Sequence, residues 1–135
     1  MLYFAYGSNL NQEQMKRRCI DSYFIKTISL KGYSLTFRGK YGAADIEKKK
    51  NSKVVGAVYE ISETDEKKLD IYEDYPILYQ KMYFSYYSKK IITYTMAKKI
   101  AYKNPNIRYL NTIIKGYKDC KLDEKYLNKA LKPSW

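Results

Sequence analysis

The sequence predicts an α+β fold built on a strongly curved or barrel-like sheet with short helices around it. Three observations carry that expectation. Runs with strand character dominate the first two-thirds of the 135 residues. Short helical stretches interrupt them, and helical periodicity takes over beyond Asn104-Pro105. No repeat, low-complexity linker or composition shift divides the chain. Residues 1–135 are therefore expected to form one domain, long enough to bury a core without metals or disulfides.

Residues 1–6 are apolar throughout, which suits a strand buried on both faces. Gly7-Ser8-Asn9 breaks the run. Asn9 or Asn11 can then cap a short helix over residues 12–18, with Met15 and Cys19 on one side. Residues 22–37 read as strand: Tyr33, Leu35 and Phe37 alternate with Ser34, Thr36 and Arg38, giving one apolar and one polar face. Residues 39–44 turn the chain. Residues 54–61 form another strand, in which Gly56 marks a close backbone approach or a bulge. Ser62-Glu63-Thr64-Asp65 resembles a capping box, and a helix of about three turns follows to roughly Glu73, ended by Pro76. Two strands over 80–87 and 91–100 meet at Ser88-Lys89-Lys90. In the closing helix Ile107, Leu110, Ile113, Ile114 and Tyr117 share a face, with Gly116 near its end. A last short helix is expected over 123–131.

Composition excludes several classes of function. There is no histidine, so Ser-His-Asp and Cys-His catalysis and His-based metal sites are ruled out. Any acid or base must be Asp, Glu, Lys or Tyr. Cys19 and Cys120 form neither a CxxC pair nor a disulfide framework. No apolar run reaches the ~20 residues of a membrane span, and the first residues lack the basic and long apolar regions of a signal peptide, so the cytoplasm is the expected compartment. The net charge of +12 admits a nucleic-acid surface. The lysines, however, are scattered, apart from Lys48-Lys49-Lys50 and nearby Lys53 in an expected loop. A solvated surface is the favoured reading, although the 17 tyrosines could stack bases.

Three features could carry chemistry. At Tyr6-Gly7-Ser8-Asn9-Leu10 a buried strand runs into a helix start, where main-chain N–H groups are available to an anion or oxyanion; an ordinary turn would look the same. Glu73 lies four residues after the inward Leu69, whereas Glu66, Asp70 and Asp74 share another face and read as solvated charges. Desolvation and the helix C-terminus would both raise the Glu73 carboxyl toward neutrality, as a general acid or base needs, unless it is a frayed surface glutamate. Tyr6, Tyr79 and Tyr109 adjoin these features and could donate hydroxyl protons to a substrate.

The segment Tyr3-Phe4-Ala5-Tyr6-Gly7-Ser8-Asn9-Leu10 resembles the N-terminal signature of the γ-glutamylcyclotransferase-like (AIG2-like) family. Further matches follow in the family's order. Gly32-Tyr33-Ser34-Leu35-Thr36-Phe37 resembles its GYxLxF strand, Val55-Gly56-Ala57-Val58-Tyr59-Glu60-Ile61 its VxGxVYxI strand, and Leu69-Asp70-Ile71-Tyr72-Glu73, followed by Tyr75-Pro76 and Tyr79, its LDxYE segment. Residues 109–116 loosely resemble its closing helix, and residues 118–135 are not covered. The resemblance implies a small mixed barrel with flanking helices, no cofactor and no metal. It implies that Gly7, Ser8, Asn9 and Leu10 hold a γ-glutamyl group through main-chain amides, that Tyr6 lines the pocket and that Glu73 is the catalytic base and acid. Asp74 stands where the family often has glycine, and Tyr79-Gln80-Lys81 where it often has Tyr-Arg-Arg. The activity implied is release of 5-oxoproline from a small γ-glutamyl amide; no membrane partner is expected, and a nucleic-acid partner is disfavoured by the scatter of the lysines. A non-catalytic γ-glutamyl or carboxylate-binding module on the same fold, and a basic nucleic-acid-binding protein, are the competing readings.

Overall fold

The computed structural model describes residues 1–132. Five strands make one mixed sheet: β1 (Leu2–Ala5), β2 (Tyr23–Arg38), β3 (Ala43–Glu60), β4 (Tyr79–Tyr86) and β5 (Lys89–Met96), in the order β2-β3-β1-β5-β4. β1 runs antiparallel to β3, with Phe4 opposite Val58, and parallel to β5, with Leu2 opposite Ile91. Its central place explains its unbroken apolar sequence: Tyr3, Phe4 and Ala5 are all buried. Complete burial of a side chain such as Phe4 is worth about 2–3 kcal/mol. Among the described residues no pairing joins the edge strands β2 and β4, so the sheet is open and not a closed barrel.

Two long strands, β2 and β3, form a hairpin turned at Gly39–Gly42. β3 is far longer than the 54–61 run. Lys48, Lys49 and Lys50, expected in a loop, lie within this strand: Lys48 pairs with Tyr33 of β2, Lys49 and Lys50 follow in a bulge of β3, and exposed lysines there incur no desolvation. β2 departs from expectation in another way. Thr36 and Arg38, on the supposedly polar face, are as buried as Leu35 and Phe37. The segment around Ile100–Tyr102 crosses them, and Arg38 donates to the Ile100 carbonyl at 2.7 Å and to Glu47 at 2.7 Å. Gly56 permits the close approach foreseen for it: a Cβ there would stand 2.3 Å from the Ala5 carbonyl oxygen.

The helices begin where their caps are. In α1 (Gln12–Arg18) the Asn11 side chain accepts the Gln14 N–H, and Met15 and Cys19 are fully buried. In α2 (Glu63–Tyr72) Ser62 and Asp65 form the complete capping box, and Glu73 is the C-terminal cap. In α3 (Ile107–Asp119) Asn106 caps the first turn. Ile107 is 71% exposed: it sits at the very start of α3, nearly two turns before the buried face of Ile113 and Tyr117 begins. α4 (Lys125–Ala130) buries Leu127 and Ala130. Gly116 lets α3 sit directly on the chain that follows β1, since a Cβ there would come within 2.6 Å of the Asn11 nitrogen and the Leu10 Cβ. No helix among the described residues is long and apolar enough to cross a membrane.

Candidate functional site

A pocket of about 330 Å³, its mouth included, opens where β1 ends and α2 ends. Tyr6, Gly7, Ser8, Asn9, Glu73, Tyr79 and Tyr109 all line it, so the fold gathers seven of the eight expected site residues around one space. Leu10 stands apart. Its side chain is fully buried in the core, and its N–H donates to the Gly7 carbonyl at 3.0 Å.

The loop owes its shape to a single turn of 3-10 helix at Ser8–Leu10. A helix start leaves its first N–H groups without internal acceptors. Here the Leu10 and Asn11 N–H groups are taken by Gly7 and Ser8 carbonyls, which leaves those of Gly7, Ser8 and Asn9 without a protein acceptor among the described residues. Gly7 sits in tight quarters: a Cβ would stand 3.0 Å from the Ala44 Cβ, closer than ordinary contact, and 3.8 Å from the Tyr109 hydroxyl. Asn9 is committed on every side. Its amide donates to the Tyr3 hydroxyl at 3.0 Å, its side-chain oxygen accepts from Arg18 at 2.6 Å, and its carbonyl accepts from Tyr59 at 3.2 Å. It therefore holds the loop's conformation and offers a ligand its main chain only.

Arg18 is the residue that sequence reading passed over. From the last turn of α1 it donates to Ser8 Oγ at 3.1 Å and to Asn9, and its guanidinium lies 3.3 Å from the centre of the Tyr72 ring. It thus ties the loop to the end of α2. Charge near the site was its one sequence signal, and Arg17-Arg18 at the end of a helix reads equally well as a dipole partner.

Glu73 follows Leu69 by one turn. Leu69 is wholly buried, and this periodicity points the Glu73 side chain inward from the helix end. Its carboxylate has no hydrogen-bond or ion-pair partner among the described residues. Burial raises it from 4.5 to about 7, against the opposing charge of Arg18. Asp74, the next residue, has φ 50°. That left-handed region is where glycine is at ease and aspartate is tolerated, which accounts physically for either residue at this corner. Glu66 and Asp70 are not the solvated charges expected of them: both are half-buried and bind Lys81, and Asp70 also accepts the Tyr94 hydroxyl at 2.5 Å. The helix face they share is covered by β4 and β5, which the spacing within one helix does not reveal.

The tyrosines divide. Tyr6 donates its proton to the Tyr94 carbonyl at 2.6 Å and Tyr79 donates to the Ala44 carbonyl at 2.5 Å, so both phenol oxygens retain only acceptor capacity. The Tyr109 oxygen accepts the Ala44 N–H at 3.2 Å and keeps its proton available to a ligand. Burial pushes the Tyr109 phenol up to about 12, so it stays protonated at neutral pH. Cys19 and Cys120 are buried, unpaired and far less acidic than an exposed thiol, again through desolvation. No group of His, Cys, Asp and Glu side chains among the described residues could hold a metal ion.

The arrangement is one ionisable carboxylate without a partner, beside main-chain N–H groups without acceptors. It can move a proton and stabilise a developing oxyanion in the same space. Comparison with known proteins is consistent with that geometry. The family model described as "Gamma-glutamyl cyclotransferase, AIG2-like" matches residues 3–111. Among solved structures, a gamma-glutamyl cyclotransferase is similar with a TM-score of 0.79 at 24% identity, covering 98% of this chain and 88% of that one. An uncharacterized protein from Homo sapiens is similar with a TM-score of 0.78 at 24% identity, with the same coverage. YkqA from Bacillus subtilis is similar with a TM-score of 0.76 at 20% identity over 96% of this chain, but only 52% of its own length. No curated protein sequence matches the chain.

Proposed function

The chain belongs to the gamma-glutamyl cyclotransferase, AIG2-like family, and from that premise we propose that it releases 5-oxoproline from a small γ-glutamyl amide. The substrate's γ-carbonyl oxygen faces the N–H groups of Gly7, Ser8 and Asn9. Glu73 takes a proton from the substrate's α-ammonium. The freed amine attacks the γ-carbonyl carbon of the same molecule and closes a five-membered ring. Negative charge gathers on the former carbonyl oxygen, where the loop's N–H groups meet it. The bond to the leaving nitrogen then breaks as Glu73 returns its proton to that nitrogen. The ring nitrogen still carries one proton more than the lactam keeps, and that proton goes to the departing amine, so 5-oxoproline and the amine in its ammonium form together account for every atom of the substrate. Both reacting groups begin in one molecule, so the pocket's main task is to hold the folded rotamer.

The observation that carries this reading is the meeting of an unpartnered Glu73 with unpartnered main-chain N–H groups in one pocket. A carboxylate of ordinary acidity would be a poor base toward an α-ammonium group of pKa about 8, whereas one near 7 is closely matched. The test is a panel of γ-glutamyl amino acids, γ-glutamyl amines and glutathione, assayed for 5-oxoproline by mass spectrometry. Glu73→Gln should fold normally and lose about 10³-fold or more in turnover. A well-folded Glu73→Gln protein with undiminished release would remove Glu73 from the mechanism. A ligand that binds without release of 5-oxoproline would favour a binding module on this fold.

A further inference from the structure

We propose that a basic groove between the β2–β3 hairpin and α4 binds the sugar-phosphate backbone of a single-stranded nucleic acid. The groove shares no residue with the pocket, and it holds about 1650 Å³ between its walls, mouth included. Six lysines line it: Lys31, Lys48, Lys49, Lys53, Lys129 and Lys132. In sequence they are scattered over a hundred residues, and the fold brings them together. Among the described residues, lysine ion pairs are formed by Lys81, Lys99, Lys115 and Lys125, none of which lines the groove. Among the described residues the one carboxylate in the lining, Glu47, is bound to Arg38 at 2.7 Å and accepts the Tyr102 hydroxyl at 2.6 Å. Its charge is thereby met, and the groove's excess stays positive.

The backbone is shaped to this end. Lys31 pairs with Lys53, but two residues further along β2 the register has jumped, so that Tyr33 pairs with Lys48. One residue of β2, Gly32 at φ +83°, thus faces four of β3, with Asn51 at φ 62°. The bulge throws Lys49, Asn51 and Ser52 into the groove's wall. Two tyrosines complete the lining. The Tyr126 ring has the ammonium groups of Lys53, Lys125 and Lys129 within 5.2–5.8 Å, and that of Tyr102 has Lys132 at 4.7 Å. The Tyr102 ring also carries the Arg38 guanidinium at 4.3 Å, so both tyrosines hold cations against the groove wall, where a chain of phosphates would meet them. Six unneutralised charges along one trough exceed what a single phosphate would need. A trough also presents its charges poorly to a flat bilayer, and among the described residues no exposed aliphatic side chain lines it for insertion into one. The polymer that matches is a flexible strand of phosphates and bases.

The test is fluorescence anisotropy of the full chain with labelled twelve-nucleotide oligo-U and oligo-dT. Both are expected to bind, and with about four phosphates engaged, affinity should fall roughly 50-fold between 50 and 200 mM salt. Lys49→Glu/Lys53→Glu, both exposed residues, should weaken binding at least about 10-fold. The charge-matched Lys89→Glu/Lys90→Glu variant, at the β4–β5 turn, should change it by less than about 3-fold. Circular dichroism verifies that both variants are folded. Equal loss in the two variants would reduce the effect to net charge and overturn the proposal, as would no binding at 50 mM salt. Displacement by tripolyphosphate at equal phosphate concentration, or groove-dependent binding to phosphatidylserine vesicles with no oligonucleotide binding, would assign the groove to another polyanion and overturn it too.

Discussion

Two inward carboxylates, Glu73 at the end of α2 and Asp45 near the start of β3, sit in neighbouring regions and have opposite fates. Asp45 is the more deeply buried, at 0% exposure, yet every face of it is answered: it accepts the Met96 N–H at 2.8 Å and Lys99 at 2.7 Å, with Arg38 Nε at 3.5 Å. Glu73 is only half-buried, and among the described residues no hydrogen bond or ion pair answers it. Its neighbours Ser8 and Asn9 hold Arg18 instead. Burial by itself therefore does not make a group reactive. What decides is whether the fold supplies partners, and here it supplies them to the side chain that fastens β3 to β5 and withholds them from the one in the pocket. The two lie close because β3 alternates. Ala44 presents its main chain to Tyr79 and Tyr109 in the pocket, and Asp45 turns the other way.

The contrast can be broken at either end. The largest change in stability is expected from Asp45→Ala, which strips Arg38 and Lys99 of a shared buried partner and leaves the Met96 N–H unmatched. It should cost about 3–5 kcal/mol in urea unfolding. A loss under about 1 kcal/mol would mean that water or Glu47 takes over its role. Next comes Arg18→Met, expected to lower kcat/KM for 5-oxoproline release about 10- to 100-fold by freeing the Ser8–Asn9 loop. Because Arg18 opposes the upward shift of Glu73, the acid limb of the pH profile should also move above its wild-type midpoint near 7. Arg18→Lys keeps the charge and loses the planar contacts, so it should slow the reaction while the limb stays in place. A limb that shifts in both variants, or in neither, would show that Arg18 does not act on Glu73 through its charge.

The smallest effect sharpens the comparison most. The folded Glu73 carboxyl holds its proton up to about 7, against an ordinary 4.5, so the folded state binds more protons than the unfolded one between those values. Stability must then fall as pH rises through that window, and the fall is complete above it. Glu73→Gln removes this loss. It should leave stability at pH 4 nearly unchanged and raise it at pH 8 by about 1–2 kcal/mol, read from urea midpoints. An inactive variant more stable than its parent at pH 8, but not at pH 4, is the expected signature. Equal stability at both would mean that water solvates the carboxylate in the native pocket.

The local chemistry of the chain was legible wherever a residue acts on its near neighbours. The Ser62–Asp65 capping box and the apolar β1 follow from spacing alone, whereas spacing left the α1 cap open between Asn9 and Asn11 and Glu73 open between an inward and a frayed surface position; Asn11 caps α1 and Glu73 lines the pocket. The family signature likewise assigns Gly7 and Glu73 to one site, and both line the same pocket. The remainder depends on partners distant in sequence. Arg38 and Thr36 look like a solvated strand face until the segment near Tyr102 is laid over them. Lys48 looks like part of a loop until Tyr33 of β2 pairs with it. Asp70 looks like surface charge until Tyr94 arrives from β5. Arg18 could not be singled out because its ligands, Ser8 and Asn9, reach it only through the turn between β1 and α1. What spacing lacks, for the first three of these, is a contact across the sheet.

β1 lies at the middle of the sheet although it comes first in the chain. Its neighbours are residues 57–60 and 91–92, and the loop that follows it is seated on Gly116. The pocket's N–H groups are therefore in place only after more than a hundred further residues have been made and have come back to the start. Such long-range closure is slow compared with helix or hairpin formation. During synthesis α1 and the β2–β3 hairpin can assemble from local contacts while the apolar Leu2–Ala5 segment waits, exposed, for its central slot. The order of synthesis thus makes a complete pocket the last thing this chain acquires, and a partly made chain leaves the apolar Leu2–Ala5 segment uncovered until then.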